Sequence, residues 1–585
     1  MTGLVVAGMH RSGTSLMTRL LVDGGWHPGE DLLSSESEEY LEDASFVAIH
    51  RDWLSRSLPI GDGHRDWGLS SGGPPDPALL LDAGPTVQRF CTARSRQRQR
   101  WVAKDPRASL FLDHWAEHSD VRFVLVYRAV WDAVDSAIRL GHGPFCADPS
   151  QLRRAWVQYN RNLLDFAARR RDRCTVVSAE SLAADPAAVW KMLATGVGME
   201  GTPDPAVVDP VRLRTRDRSH PIAGLTALLH RDCAEVLAAL DAIADLPRPG
   251  NPSIAPGASF ASGVRRLVPG GSLLSGTGLQ VVIPCRDDGA FLDEAIASVE
   301  HACTEPAELT LVDDGSSEPE TLRILDLLRG AGYQVLSTEG VGLAGARNVG
   351  SAVSRSLAVL PLDADNRIRP ALVRGLGLIE SDRADVVHGP WEEFGMRNRL
   401  VRPPDASFET LLPFNNIDAC ALVRRELLDS LQGYDARLPY LEDWDLWLRS
   451  LVAGARFGRL DEVTFQYLVR PGSLNSTLWE DDAVRAAAVR RILDHVPEQM
   501  GTHGAAAVLR LMAAMHRVDQ LEMEVAAMIG SSVPESPVPE SSVHLAAELA
   551  AIRSRRSYRV IEAATRALER RPRLRSLFLR LSGRR

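Results

Sequence analysis

The chain has 585 residues, of which 45% are hydrophobic and 24% charged, and a net charge of -9. That length exceeds what one hydrophobic core sustains, so two large domains of ordinary globular type are expected, and the acidic balance removes any global drive toward nucleic acid. Seven cysteines without CxxC pairs exclude a zinc module or a disulfide framework and suit a reducing compartment.

In chain order, MTGLVVAGMH is a short apolar run that enters a glycine loop, with no basic n-region and no cleavage site, which argues against a secretory signal. No window of about 18 apolar residues occurs, so no spanning helix is expected, and a cytoplasmic protein is. LVVAG, WVAKDPR and RFVLVYR read as strands alternating with helices, and residues 146–245 read mainly as helices. The Pro/Gly/Ser-rich stretch 247–278 reads as a linker. A second block has strand candidates LQVVIPC, LTLVDDGS, YQVLSTE, LAVLPLDADN and ADVVHGP between helices, the pattern of a mainly parallel sheet with ligands at the carboxyl ends of its strands. The fold class is α/β throughout. The domains are 1–246, the linker 247–278, a second domain 279–484, and a helical extension 485–585 with a flexible interruption at 531–542 and a basic tail.

The tail interleaves arginines with Ile561, Leu568, Leu574, Leu577, Phe578 and Leu581. It either docks on anionic lipid at the inner face of a membrane or packs as a helix with a solvated arginine face.

In the first block, GMHRSGTS follows the strand LVVAG and precedes the helix SLMTRLLVDGG. A strand, glycine loop and helix in that order aim backbone N–H groups and a helix dipole at an anion. Thr14 stands where an NTPase has its lysine, and no Walker B aspartate follows RFVLVYR, so triphosphate hydrolysis lacks its main cation contacts. The loop GMHRSGTS resembles the 5'-phosphosulfate loop of sulfotransferases, and FVLVYRAVWDAVDSAIR resembles their 3'-phosphate motif. The resemblance implies a P-loop-like parallel-sheet domain that uses 3'-phosphoadenylyl sulfate (PAPS). It assigns Arg11, Ser12, Gly13, Thr14 and Ser15 to the 5'-phosphosulfate and Arg128 and Ser136 to the 3'-phosphate. An arginine fork suits phosphate.

Sulfuryl transfer needs a base and a cation near the bridging oxygen. KDPR, residues 104–107, aligns with the aryl sulfotransferase KTH, so Pro106 holds the histidine position. The segment EEYLEDASFVAIH resembles the GYxED region of bacterial and carbohydrate sulfotransferases, which makes Glu42 the expected base, with Asp43, His50 and Asp105 behind it. The other reading of Glu42 is a solvated carboxylate at a helix start. Lys104, one of two lysines among 67 basic residues, ends an apolar strand pattern and is expected to contact sulfate or acceptor.

The second block carries VVIPCRDDGAFLDEAIASV, LTLVDDGS, GLAGARNVG and LPLDADN in the order of inverting GT-A glycosyltransferases of the GT2 type, which they resemble. The resemblance implies a Rossmann-like GT-A domain. Its nucleotide sugar, UDP-linked by expectation, would contact Pro284, Asp313, Asp314, Arg347 and Asp363. Asp363 and Asp365 would hold Mg²⁺ or Mn²⁺ with the donor's pyrophosphate. LPYLEDWDLWLRS resembles the ED motif, with Asp443 as the base that deprotonates the acceptor and Glu442 as its runner-up. Trp444 and Trp447 are core residues or a sugar platform. VRPGSLNST stands where the processive pattern QxxRW is missing, which predicts single additions.

Together these pieces predict a bifunctional transferase that sulfates and glycosylates a glycan, glycolipid or glycosylated metabolite, with no nucleic-acid partner. The alternatives are glycosyl transfer alone, with a nucleotide-binding or kinase-like first domain, and a scaffold in glycan assembly.

Overall fold

The computed structural model describes residues 3–34, 39–59, 64–70, 73–96, 100–141, 143–197, 213–216, 219–249, 267–268, 278–412, 415–473 and 482–495. The flexible 531–542 stretch, the basic tail with its apolar residues and most of the 247–278 linker lie outside them. The chain divides into two compact units, residues 1–263 and 264–585, so the division falls within the stretch read as the linker.

The first unit is built on four parallel strands. They are β1 (Gly3–Ala7), β4 (Trp101–Lys104), β5 (Arg122–Tyr127) and β6 (Cys174–Ser178), in the spatial order β4-β1-β5-β6. Helix α1 (Thr14–Asp23) leaves the loop after β1 and buries Leu16, Met17, Leu20 and Leu21 against Leu4, Val6, Val124 and Val126. It stops where the Gly24 N–H bonds to Leu20 O and Gly25 turns at φ 88°. The described part of 146–245 is mainly helical, as read, and β6 is a strand within it that the reading did not mark. CTVVS is only five residues long and lies between long helical patterns, one of them α4 (Pro149–Arg169). Beside the sheet, β2 (Leu32–Ser34) and β3 (Glu39–Asp43) pair antiparallel. Glu42 therefore lies on a strand. Asp43 starts the next helix, α2 (Ala44–Ser57), by accepting the Ser45 and Phe46 N–H groups. Between β5 and α4 lies α3 (Val130–Ile138).

The second unit has a central sheet in the order β10-β9-β8-β11-β16-β13-β17, with β7 added on β9. Its strands are β7 (Leu267–Val268), β8 (Leu279–Cys285), β9 (Ala307–Asp313), β10 (Gln334–Ser337), β11 (Ala358–Pro361), β13 (Val386–His388), β16 (Leu422–Arg424) and β17 (Phe457–Arg459). β8 to β11 run parallel, and β16 is antiparallel to both of its neighbours. A smaller sheet orders β12 (Arg367–Ile368), β18 (Phe465–Val469), β14 (Trp391–Gly395) and β15 (Arg399–Val401) as β12-β18-β14-β15. β8 and β9 are buried along their whole length, as a sheet covered on both faces requires.

Helix α5 (Gly342–Ala352) lies so close to this sheet that a Cβ on Gly350 would sit 2.3 Å from Val282 Cγ1. Helix α6 (Glu442–Val452) buries Trp444 and Trp447 completely, their indole N–H groups donating to Leu411 O and Ile417 O. Both tryptophans are core, and so do not serve as a sugar platform. Helix α7 (Asp482–Asp494) adds Ala488, Val489, Ile492 and Leu493 to the same core.

None of the seven cysteines is joined in a disulfide, and six of them are buried. Burial pushes the Cys91 thiol up to about 11 and those of Cys146 and Cys303 to about 12. No described helix is long and apolar enough to cross a membrane.

Candidate functional site

In the first unit, three adjacent parallel strands deliver the expected residues at their carboxyl ends. Lys104 ends β4, the glycine loop follows β1, and Arg128 follows β5. The loop turns through left-handed backbone at Arg11 (φ 66°) and Gly13 (φ 87°). Such a conformation at a non-glycine residue costs of order 1–3 kcal/mol and clusters at ligand sites. Gly8 is required by close approach, since a Cβ there would lie 2.2 Å from Val126 O.

The two motif halves meet. Arg11 Nε donates to Ser136 Oγ at 3.0 Å, and an Arg128 guanidinium N–H donates to Arg11 O at 2.9 Å. Ser12 Oγ, within the loop, and Arg128 Nε are buried without a hydrogen-bond partner. Unpartnered buried polar atoms beside a helix N-terminus are what an anion would satisfy. Thr14 is buried and Ser15 half-buried in the first turn of α1.

Around the expected base, Lys104 Nζ donates to Glu42 Oε1 at 2.6 Å, and Arg107 lies 3.8 Å from the other Glu42 oxygen. The stand-by carboxylates and histidine have structural roles. Asp43 caps α2 and pairs with Arg94. His50 and Asp105 are fully buried; Nδ1 of His50 pairs with Asp105 at 2.9 Å, and its Nε2 accepts the Trp115 indole N–H at 2.9 Å. Burial alone would raise the Asp105 carboxyl, but Arg107 and His50 overcome it and hold it well below the usual carboxylate range. Glu42, by contrast with these, has 14% of its side chain exposed.

In the second unit, Asp313 ends β9, Asp363 and Asp365 follow β11, and Pro284 lies near the end of β8. Asp314 uses both oxygens to accept the Val341 and Gly342 N–H groups, at 2.7 and 2.9 Å, and so shapes the turn that starts α5. Arg347, buried on α5, ties the two halves of the site together, donating to Asp363 Oδ1 at 2.6 Å and to Glu442 Oε1. Arg347, expected to contact the nucleotide sugar, bridges two carboxylates in the structure. Burial opposes its charge, and Asp363 and Glu442 outweigh that to raise its pKa.

Glu442 and Asp443 open α6 behind Leu441, which is strained at φ 62°. Asp443 Oδ2 accepts Asn415 Nδ2 at 2.9 Å, and its Oδ1 accepts the Trp444 N–H at 2.8 Å. Burial raises the carboxyl of Asp443 and pushes Glu442 up to about 7. Asp418, pushed up to about 8 by burial and by Asp363, belongs to the same acidic group, and no motif in the sequence marked it or Asn415.

Arg470, also unmarked, donates to Asp365 Oδ2 and Asp288 Oδ1, both at 2.7 Å. In the sequence VRPGSLNST is informative only for the pattern it lacks. Among the described residues no group of three or more His, Cys, Asp or Glu is assembled to hold a metal ion. The carboxylates of Asp363 and Asp365 are hard oxygen donors that fit Mg²⁺ or Mn²⁺ where a donor's phosphates and water supply the remaining ligands.

Residues 280–432 match Glycosyl transferase family 2. The succinoglycan biosynthesis protein ExoU of Rhizobium meliloti (strain 1021) is 28% identical over 235 residues, 34% of this chain and 65% of ExoU. The O-antigen biosynthesis protein RfbC of Myxococcus xanthus is 28% identical over 232 residues, 38% of this chain and 18% of RfbC. The chain thus spans less than two thirds of either relative. Similar solved structures include S. aureus TarS 1–349 in complex with UDP-GlcNAc, at 16% identity and TM-score 0.33, covering 50% of this chain and 92% of that one. Another is the mannosyltransferase PcManGT of Pyrobaculum calidifontis with GDP-Man and Mn²⁺, at 16% identity and TM-score 0.32, covering 52% and 88%. None of these proteins is described as a sulfotransferase, so the comparisons lend no support to PAPS or to a bifunctional chain. Residues 280–432 form a glycosyltransferase family 2 domain.

Proposed function

We propose that the second unit transfers a sugar from a nucleotide sugar to a hydroxyl of a glycan or glycolipid, with inversion at the anomeric carbon. The observation that carries this reading is the meeting of Asp363, Arg347 and Glu442, with Asp443 beside them at the start of α6. Asp443, oriented by Asn415 and the Trp444 N–H, takes the proton of the acceptor hydroxyl as its oxygen attacks, and the nucleoside diphosphate leaves. Asp313 faces the nucleoside, Asp363 and Asp365 would hold Mg²⁺ or Mn²⁺, and the cation when bound neutralises the departing diphosphate. The polysaccharide names of ExoU and RfbC support a glycan-type acceptor. Hydrolysis of UDP-, GDP- and dTDP-sugars with Mn²⁺ tests the reading. At least one donor must turn over and Asp365→Ala must abolish it; failure of all donors, or an active variant, refutes it.

A second reading concerns the first unit and rests on the contact of Arg11 with Ser136 and on the unpartnered Ser12 Oγ. We propose that this loop binds a doubly phosphorylated adenosine donor of the PAPS class, with Glu42 as base and Lys104 as the cation near the bridging oxygen. The alternatives are a nucleotide-binding or kinase-like module and a scaffold. Calorimetry with PAPS and ATP separates them: tighter ATP binding refutes the sulfuryl-transfer reading.

A further inference from the structure

Arg470 lies one residue beyond β18 and is followed by Pro471 and by Gly472 at φ 72°. Its guanidinium divides its donors between two carboxylates, Nε to Asp365 and a terminal N–H to Asp288, at 2.7 Å each. Its plane lies over the Phe291 ring, 4.7 Å from the centroid, and 11% of the side chain is exposed. Asp363 is meanwhile paired with Arg347. Each carboxylate of the expected metal pair thus already carries an arginine.

A guanidinium and a divalent cation on one carboxylate repel each other strongly in a site with little water. The same planar fork pairs with phosphate as readily as with carboxylate. We propose that Arg470 is a resident counter-cation of the donor site, neutralising Asp365 and Asp288 in the donor-free enzyme. On donor binding it moves its ion pair to the diphosphate and releases Asp365 for the divalent cation. The proposal rests on the glycosyl-transfer reading and adds to it a residue that makes metal binding conditional on the nucleotide. No covalent step is involved, and only ion pairs exchange.

The test is Mn²⁺ binding to the full chain, followed by electron paramagnetic resonance at neutral pH, with no nucleotide and with UDP or GDP. Wild type should bind Mn²⁺ weakly alone and at least about fivefold more tightly with the diphosphate, while Arg470→Gln should bind Mn²⁺ alone at least about tenfold more tightly than wild type. In EDTA, Arg470→Gln should bind UDP and GDP more weakly. Arg470→Met also removes the charge and leaves an apolar stem over Phe291, so misfolding of the Gln variant does not decide the result, and Arg470→Lys, which keeps the charge, must bind Mn²⁺ alone less tightly than either. Unchanged nucleotide-free affinity in both Arg470→Gln and Arg470→Met overturns the proposal alone. Wild type showing no nucleotide-dependent Mn²⁺ that Asp365→Asn removes overturns the donor site itself, and the proposal with it.

Discussion

Lys104 Nζ and Glu42 Oε1 lie 2.6 Å apart, 62 residues distant in the chain, with Lys104 almost fully buried. The pair gives the two residues opposite signatures. Lys104→Met should weaken binding of adenosine 3',5'-bisphosphate, because a cation facing the anion is lost. Glu42→Gln should leave that binding unchanged or tighter, because Lys104 is released. It should also lower PAPS-dependent transfer by about 10²–10⁴-fold. Calorimetry and transfer of labelled sulfate check both, and weaker binding in both variants would mark the pair as purely structural.

Asp443→Asn should reduce glycosyl transfer by about 10²–10⁴-fold while UDP or GDP binding stays unchanged. Burial raises the Asp443 carboxyl, and a base acts only when deprotonated. The rate should therefore fall, as pH is lowered, at a higher pH than an ordinary aspartate would give. A pH profile of kcat/KM reads this, and an acid limb in the ordinary carboxylate range would remove Asp443 as the base.

Both loops were legible in the sequence because their signals are local. GMHRSGTS follows a strand and precedes a helix, and LPLDADN ends an apolar run, so the chain order of GT2 pieces could be read directly. The resemblance assigned Arg11 and Ser136 to different phosphates of one donor, and the hydrogen bond between them was not read from the sequence. What escaped were pairings with no local pattern. Arg470 reaches Asp365 across 105 residues and Asp288 across 182, and a lone arginine before Pro-Gly reads as a turn. β6 escaped because five residues between helices give too little alternation to register. The roles of His50 and Asp105 depend on Trp115 and Arg107 closing around them, which no spacing announces.

Asp132 on α3 is 1% exposed and pushed up to about 7 by burial, although Arg216 pairs with it. Its folded pKa lies above its unfolded one, so the folded state binds the extra proton and stability falls as pH rises from about 4 to about 7. Asp132→Asn should match wild type near pH 4 and exceed it near pH 8 by of order 1 kcal/mol. Urea midpoints at the two pH values check the sign, and a variant less stable at pH 8 would show that the Arg216 pair outweighs desolvation.

Gly350→Ala would place its Cβ 2.3 Å from Val282 Cγ1 and 2.9 Å from Val312 Cγ2. Overpacking of this kind costs about 1–3 kcal/mol. The urea midpoint of the second unit should drop accordingly, and an unchanged midpoint would mean that α5 is free to lift from β8 and β9.

The cysteine thiols make a clock. Four of them (Cys91, Cys146, Cys174, Cys233) belong to the first unit and three (Cys285, Cys303, Cys420) to the second. A buried thiol with a raised pKa is inert to alkylating reagents until the surrounding structure opens. Timed alkylation, read by peptide mass, would therefore measure how often each half of the molecule breathes. It would reveal whether the two halves unfold as one event or as two, with no label, tag or truncation added to the chain.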